Sequence, residues 1–530
     1  MMKFSDSLKR NIDFQNVYQN GKSYANKYLV MYVLENNTDQ NRLGISASKK
    51  VGNSVVRHRM ARLVRESYRL HESIFNSGLD IVVVVRNSAS HISYHEMESA
   101  LLHLAKLHHI RNDVTIQCRS KHLLPRPENM KSEGNLSRMT KVEQQIYNFI
   151  KKNLGLFCII AVTFIRFGIC FYLRRYESGD FQQDLQQWFE EIKMNGGLAA
   201  MKQQVGNYNI PYQLIIAIMT YFPAKSLYLY KGLSIFFDFI LAGACGIFVC
   251  KLKNSRSWML FAGVYAAVLL LPVTYLNSAA WAQCDSIYTA FVIMALYFLY
   301  DRKYIAAYLL LGISLAFKLQ MIFILPFFVF YYFLEKKHSI LNFGLILAGW
   351  YGLSLPGIFM RNNWLEPYQI YFWQTDTHKF MWLNFPSFWI LVGDNYEMLK
   401  KLAILVTISV LGLALAYAMY RNRTLASSGS FLKVAVWTTW TCILFLPAMH
   451  ERYSYLVDIL LLLLVFINRR FWIIAAVEII SSMLCYQAYL FGGSEVSTIH
   501  AIVYLAAWLY FTWLVFDHTT AEAKNESRQG

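Results

Sequence analysis

Two kinds of hydrophobic pattern follow one another along the chain. Over roughly the first hundred residues, apolar positions come in short groups, some at helical and some at strand spacing. Beyond Leu154 they come in runs of about 17–22 residues, a length that matches the hydrocarbon thickness of a bilayer. The first region predicts a helix over about Ser5–Asn20 that stops at Gly21, then strands over Lys27–Leu34 and Arg42–Ser48. A helix over Asn53–His71 follows, with Val55, Val56, Leu63, Val64 and Tyr68 on one face. A buried strand over Asp80–Val85 and an amphipathic helix over His95–His108 close the region. The order αββαβα predicts a small α/β sandwich over residues 1–112. Residues 113–153, which include Pro125, Pro127, Ser132 and Gly134, read as a linker with a short helix at its end.

The second region predicts an all-α polytopic membrane domain over 154–517, with about 12 transmembrane helices and a tail over 518–530. Expected spans are 154–174, 229–250, 257–275, 284–300, 303–317, 320–334, 338–357, 401–420, 431–448, 453–468, 471–490 and 499–517. The N-terminus MMKFSDSLKRNIDFQ lacks the apolar stretch of a signal peptide. The expected location is therefore the cell membrane, multi-pass, with the first domain and the tail cytoplasmic. Every even-numbered break should then be basic. Lys251, Lys253 and Arg256, then Arg302 and Lys303, Lys336 and Lys337, Arg421 and Arg423, and Arg469 and Arg470 fit that rule. Ile210–Phe222 is apolar but short for a crossing, so it is expected to lie at the outer surface or to dip into it.

Composition sharpens this picture. Hydrophobic residues reach 56% and charged ones only 16% of 530 residues, against about 25% charged in a typical soluble domain. Disorder, collagen and a disulfide scaffold are excluded on the same numbers. The net charge of +18 points to polyanionic partners or to basic inner loops. No CxxC or Cys/His spacing suggests a metal site.

Charge in the first domain concentrates in Ser48–Arg69, SKKVGNSVVRHRMARLVRESYR. Lys49, Lys50, Arg57, Arg59, Arg62, Arg65 and Arg69 recur there largely at helical spacing, which suits a phosphate backbone. Gly52 and Asn53 supply the turn and the N-cap. For a charge run alone, the alternative is a solvated helix flank. The segment resembles the signature of the bacterial ribonuclease P protein component, roughly KKxGNAVxRNRxKRxxR, and the likeness extends over about residues 5–112. His58 and Ala61 depart from that pattern, and the resemblance implies weaker contact with RNA there. It further implies a partner of the ribonuclease P RNA subunit, which removes the 5′ leader of precursor tRNA with Mg²⁺. Lys49, Lys50, Asn53, Arg57, Arg59, Arg62, Arg65 and Arg69 are the RNA-binding candidates. Phe14, Tyr18 and Tyr32 are candidates for stacking on unpaired leader bases, or for simple core packing. A general RNA-binding module is the competing class.

In the membrane region the ionisable residues sort by side. Asp180, Asp184, Trp188, Trp281, Gln283, Asp285, Lys318, Gln320, His450, Glu451 and Arg452 all fall at expected outer ends. Ionisable groups at membrane depth mark a site by default. Singly, Lys318 can snorkel, Asp285 can cap a helix and His450–Arg452 can anchor an interface. The stretches SGDFQQDLQQW, Gly206–Ile215, WAQCDSIY, AFKLQ and HERYSY resemble membrane glycosyltransferases of the GT-C fold, in particular bacterial mannosyltransferase-like proteins. The resemblance implies inverting transfer from a polyprenyl-phosphate-linked sugar, with membrane lipids as surroundings. It implies Asp180 as the base, with Asp184 in reserve, and Lys318 or Arg452 on the donor phosphate. Gln320, His450 and Glu451 join them as donor-site candidates, Gln283 and Asp285 as holders of sugar hydroxyls, and Trp188 and Trp281 as stacking platforms. No DxD-type motif stands out, so no metal is assigned in this half. A transporter or flippase is the competing class; it would call for inverted repeats, which the sequence does not display. Arg166, inside the first span, has no place in either scheme.

Overall fold

The computed structural model describes residues 5–110 and 140–516, apart from positions 9, 37, 39, 73, 74, 91 and 378. The chain divides into two compact units, residues 1–136 and 137–530. Most of the expected linker lies outside the described residues.

In the first unit, alternation in Leu29–Glu35 puts Leu29, Met31 and Val33 on one buried face. That strand belongs to a five-stranded sheet of β1 (Ser5–Ser7), β2 (Lys22–Ala25), β3 (Leu29–Glu35), β4 (Asn41–Ala47) and β5 (Leu79–Val85), in the order β1-β4-β5-β3-β2. β1 and β4, and β4 and β5, pair parallel; β3 runs antiparallel to both β5 and β2. The helices are α1 (Asn11–Asn20), α2 (Ser54–His71) and α3 (Tyr94–Leu107). Met60, Val64 and Tyr68 of α2 and Met97, Leu101 and Leu104 of α3 form one core with Leu29, Met31, Ile81 and Val83. β5 is apolar apart from Asp80, which pairs with Arg42, because α1 also packs against it. The Phe14 ring of α1 lies against Gly44, where an added Cβ would meet it at 2.7 Å.

Two expectations need correction. The first helix begins at Asn11, and Ser5–Ser7 is a strand; Lys22–Ala25 is a strand as well, so the order is βαβββαβα rather than αββαβα. Both added strands lie at sheet edges and carry mostly polar side chains, so backbone pairing forms them without any alternation to read. Asn53 does cap α2: its side-chain oxygen accepts from Val56 N–H at 3.0 Å.

The second unit is helical. It opens with α4 (Lys141–Lys152), α5 (Leu154–Leu173), α6 (Gln186–Met194), α7 (Ile210–Met219), α8 (Ser226–Leu252), α9 (Trp258–Leu270) and α10 (Pro272–Tyr275). It continues through α11 (Asp285–Tyr300), α12 (Tyr304–Phe317), α13 (Leu325–Glu335), α14 (Gly344–Arg361), α15 (Glu366–Thr377) and α16 (Tyr396–Tyr420). α17 (Ser428–Phe445), α18 (Tyr455–Ile467), α19 (Trp472–Phe491) and α20 (Thr498–Phe516) complete it. Each of the twelve apolar segments is largely helical. Among the described residues, 6 helices are long and apolar enough to cross a membrane, or 7 if the pair Trp258–Leu270 and Pro272–Ala280, bent by 55°, is one span. Asp285–Tyr300, Tyr304–Phe317, Leu319–Glu335 and Tyr455–Ile467 are apolar but shorter. α11 and α18 are enclosed by neighbours over most of their length. α7, expected at the surface, buries Ile210, Tyr212, Ile216 and Ala217 against α12 and α14, because a helix apolar all round needs cover.

The breaks between helices meet in two separate groups. Lys251 and Lys303 both pair with Asp301, the Lys253 ammonium donates to Phe466 O at 3.0 Å, and Leu425 N–H donates to Glu335 at 2.7 Å. These are the even-numbered breaks. The odd-numbered ones converge elsewhere, around Asp180. Arg166 also finds its explanation: it is fully buried, pairs with Asp238 of α8 and donates to Ser278 Oγ at 2.7 Å.

Candidate functional site

The first unit presents its cations on α2. An apolar stripe at Met60, Val64 and Tyr68 faces the core, so Arg59, Arg62, Arg65 and Arg69 stand outward. Arg69 forms an ion pair with Glu66 at 2.6 Å, and this holds the Glu66 carboxyl below its usual range. Arg59, Arg62 and Arg65 have no ion pair among the described residues. Lys50 is exposed, Arg57 is half-buried, and the Lys49 side chain lies outside the described ones. Asn53 is exposed, but its carbonyl oxygen is engaged as the cap of α2. Phe14, Tyr18 and Tyr32 gather between α1 and β3, with Tyr18 5.0 Å from Tyr32 and 6.4 Å from Phe14. All three rings are partly exposed, so the cluster offers faces as well as packing.

The second unit holds a cavity of about 530 Å³. Asp180 lies at its wall, where the chain leaves α5 and enters the π-helical turn Phe181–Leu185. Trp281 Nε1 donates to Asp180 Oδ2 at 3.0 Å, Gln283 Nε2 at 2.6 Å and Arg452 Nη1 at 3.2 Å. The Tyr489 hydroxyl donates to Oδ1. A carboxylate has about four lone-pair sites; here three donors crowd one oxygen and one reaches the other. Beneath, Lys318 pairs with Asp285, and both are about 1% exposed. Asn277 Nδ2 donates to Asp285 Oδ2 at 2.8 Å, and Arg452 Nε lies 3.8 Å from it. Arg452 therefore bridges the two aspartates, and it also approaches Glu451 at 3.6 Å. His450 sits 3.9 Å from Glu451. Burial pushes the Glu451 carboxyl up to about 7, with Arg452 opposing the shift.

Of the expected residues, Asp180, Asp184, Trp188, Gln283, Lys318, Gln320, His450, Glu451 and Arg452 line the cavity. Two do not. Trp281 is wholly buried, stacks on Tyr489 at 4.6 Å and turns its N–H to Asp180, so it is no platform for a ligand ring. Asp285 is sealed behind Lys318 and holds that cation instead of facing the space. Trp188 is available, because it lies over Gly206, where φ is +73° and a Cβ would meet the indole at 2.5 Å. Tyr489, Asn277 and Lys400 complete the site and were not anticipated. Tyr489 and Asn277 border apolar runs, where a single polar side chain carries no pattern. The Tyr208 hydroxyl donates to Gln283 Oε1 at 2.8 Å. Among the described residues no group of three or more His, Cys, Asp or Glu could hold a metal ion.

A ribonuclease P family model matches residues 2–108. The ribonuclease P protein component of Lachnoclostridium phytofermentans is 67% identical over 106 residues, which cover 20% of this chain and 91% of that protein. The component of Alkaliphilus metalliredigens is 50% identical over 105 residues, covering 20% of this chain and 95% of that protein. A solved structure of the Staphylococcus aureus RNase P protein is 37% identical, with a TM-score of 0.20, and the match covers 20% of this chain and 99% of that one. Through residues 2–108, the chain belongs to the ribonuclease P protein component family.

Proposed function

We propose that the chain joins two functions. Its first unit assists the ribonuclease P RNA subunit in removing the 5′ leader of precursor tRNA. The exposed arginines of α2 neutralise phosphates of the RNA subunit, and Phe14, Tyr18 and Tyr32 stack on leader bases. Mg²⁺ acts with the RNA subunit, and no ligand for it is assigned to this chain. Family membership carries this half. Precursor-tRNA cleavage with the RNA subunit at low Mg²⁺ tests it: the full chain in detergent should stimulate cleavage, and absence of stimulation rejects the reading.

The second unit is read as a GT-C-like membrane glycosyltransferase of about twelve crossings. It takes its sugar from a polyprenyl-phosphate donor on the outer face. One observation supports this above others. Asp180, Gln283, Lys318 and Arg452 come from four different breaks and converge on one cavity. Ile322 and Ile404 line that cavity and are 37% and 39% exposed, an apolar surface suited to a lipid-linked donor. In the proposed step the acceptor oxygen bonds to the anomeric carbon as the bond from that carbon to the phosphate oxygen breaks. The acceptor proton passes to Asp180, with Asp184 in reserve. The leaving lipid phosphate is held by Arg452 and Lys318. The separation of the breaks into two groups supports the alternating topology. Incorporation of labelled sugar from a lipid-linked donor, abolished by Asp180→Asn, is the test; unchanged transfer rejects the assignment. The bent pair of α9 and α10 favours a second reading, a transporter or flippase. Lipid-linked substrate crossing vesicles without sugar transfer would select it.

A further inference from the structure

The short helix before the first long span has a use of its own. α4 reads KVEQQIYNFIKK and is closed at its start by a capping box of Thr140 and Glu143. Its apolar residues Val142, Ile146, Phe149 and Ile150 recur at spacings of four, seven and eight, so they form one stripe. That stripe is bare: Val142 is 63% exposed, Ile146 53% and Phe149 61%. Gln144 and Asn148 occupy the opposite side, Glu143 and Gln145 border the stripe, and Lys151 and Lys152 stand at the C-terminal end.

One residue, Asn153, separates Lys152 from Leu154, the start of α5. Asn153 has φ −104° and ψ 16°, outside helical values, and its side-chain amide donates to Phe149 O at 2.9 Å. The Phe149 and Phe157 rings meet across this break at 6.2 Å. If α5 enters the bilayer at Leu154, the end of α4 sits at headgroup depth. An apolar stripe at that depth needs cover, and two lysines beside it favour anionic headgroups. We propose that α4 lies in the membrane surface on anionic lipid, its stripe of Val142, Ile146, Phe149 and Ile150 turned into the bilayer. This rests on α5 spanning the membrane and is independent of sugar transfer. The helix then anchors the point from which the RNA-binding unit is tethered, a stop between a soluble domain and a buried bundle.

The test uses the full chain reconstituted in vesicles, with an environment-sensitive fluorescent amino acid placed singly at 146, 148 or 164. The probe at 164 reports the span itself. In vesicles of phosphatidylglycerol and phosphatidylcholine, position 146 should shift to the blue, be quenched by lipids brominated near the headgroup and lose iodide quenching. Position 148 should keep its iodide quenching. Lys151→Gln with Lys152→Gln should weaken the effect at 146, as should pure phosphatidylcholine. Iodide quenching at 146 equal to that at 148, with 164 still lipid-quenched, overturns the proposal and leaves the span intact. Loss of lipid quenching at 164 overturns the span as well. Protection of 146 in dilute detergent without lipid would assign the stripe to another part of this chain, and protection that grows with protein concentration would assign it to a second copy; either overturns the lipid assignment.

Discussion

The arginines of the two units do opposite things with the same side chain. On α2, Arg59, Arg62 and Arg65 are exposed and make no ion pair among the described residues. In the helical unit, Arg166 is fully buried against Asp238, and Arg452 is spent between Asp180 and Asp285. Exposed cations act at long range, tolerate movement and fade with salt. Buried ones act only where they are placed, and removing their partner leaves an uncompensated charge. A polyanion such as RNA suits the first arrangement. A single phosphate held at a fixed distance from a reacting carbon suits the second.

The largest expected effect lies where buried charge meets chemistry. Asp180→Asn keeps the shape of the side chain but removes one acceptor oxygen, so Arg452 loses one of its three carboxylate neighbours. Sugar transfer should fall by about 10²–10⁴-fold, the usual contribution of a general base. Initial rates with a lipid-linked radiolabelled donor measure it. A drop below about tenfold would move the role to Asp184.

Next comes the buried pair away from the cavity. Arg166→Met leaves Asp238 alone in the interior, at a cost of about 3–5 kcal/mol. Thermal unfolding in detergent should register that loss. The double change of Arg166→Met with Asp238→Leu should recover most of it, since replacing both charges by apolar groups is often neutral. The same logic fails on α2. Arg62→Ala with Arg65→Ala should leave the melting of the first unit nearly unchanged. It should instead flatten the salt dependence of RNA binding by roughly 0.7–0.9 in slope for each phosphate contact removed. Filter binding of the ribonuclease P RNA subunit across a salt series reads that slope directly.

How much of this could be read from the chain follows the same division. α2 and its arginine stripe were legible because a three-to-four-residue period separates Val56, Leu63, Val64 and Tyr68 from Arg59, Arg62 and Arg65, although the fully buried Met60 was not read as part of that face. The edge strands Ser5–Ser7 and Lys22–Ala25 were not, since backbone pairing made them and no side-chain period marks them. The convergence of Asp180, Lys318 and Arg452 was legible as polar residues at alternate breaks. What those residues do to one another was not. Trp281 looked like a stacking surface, yet it is consumed by Asp180 and Tyr489. Asp285 looked like a ligand for substrate, yet it is the counter-ion of Lys318. Partner choice depends on distances across more than a hundred residues, as between Asp180 and Arg452, and no local pattern encodes them. Arg166 was visible as an anomaly, and only the fold supplied Asp238.

The smallest effect is the one that sharpens the contrast most, because it concerns competition for a single buried arginine. Glu451 is almost wholly buried, and burial pushes its carboxyl up to about 7, so it is neutral below that pH and anionic above it. When anionic it draws on Arg452, 3.6 Å away, which the donor phosphate also needs. A sugar phosphodiester does not itself titrate in this range. The apparent KM for the donor should therefore rise several-fold between about pH 6 and about pH 8, while kcat changes less. Glu451→Gln fixes the neutral form and should give the low KM across that range. A KM that climbs equally in the variant would mean that another group, His450 at 3.9 Å from Glu451 being the nearest, sets the pH dependence. No comparable profile is expected for RNA binding by α2. Its arginines stay charged throughout, and Glu66, the carboxylate paired with Arg69, is held below its usual range.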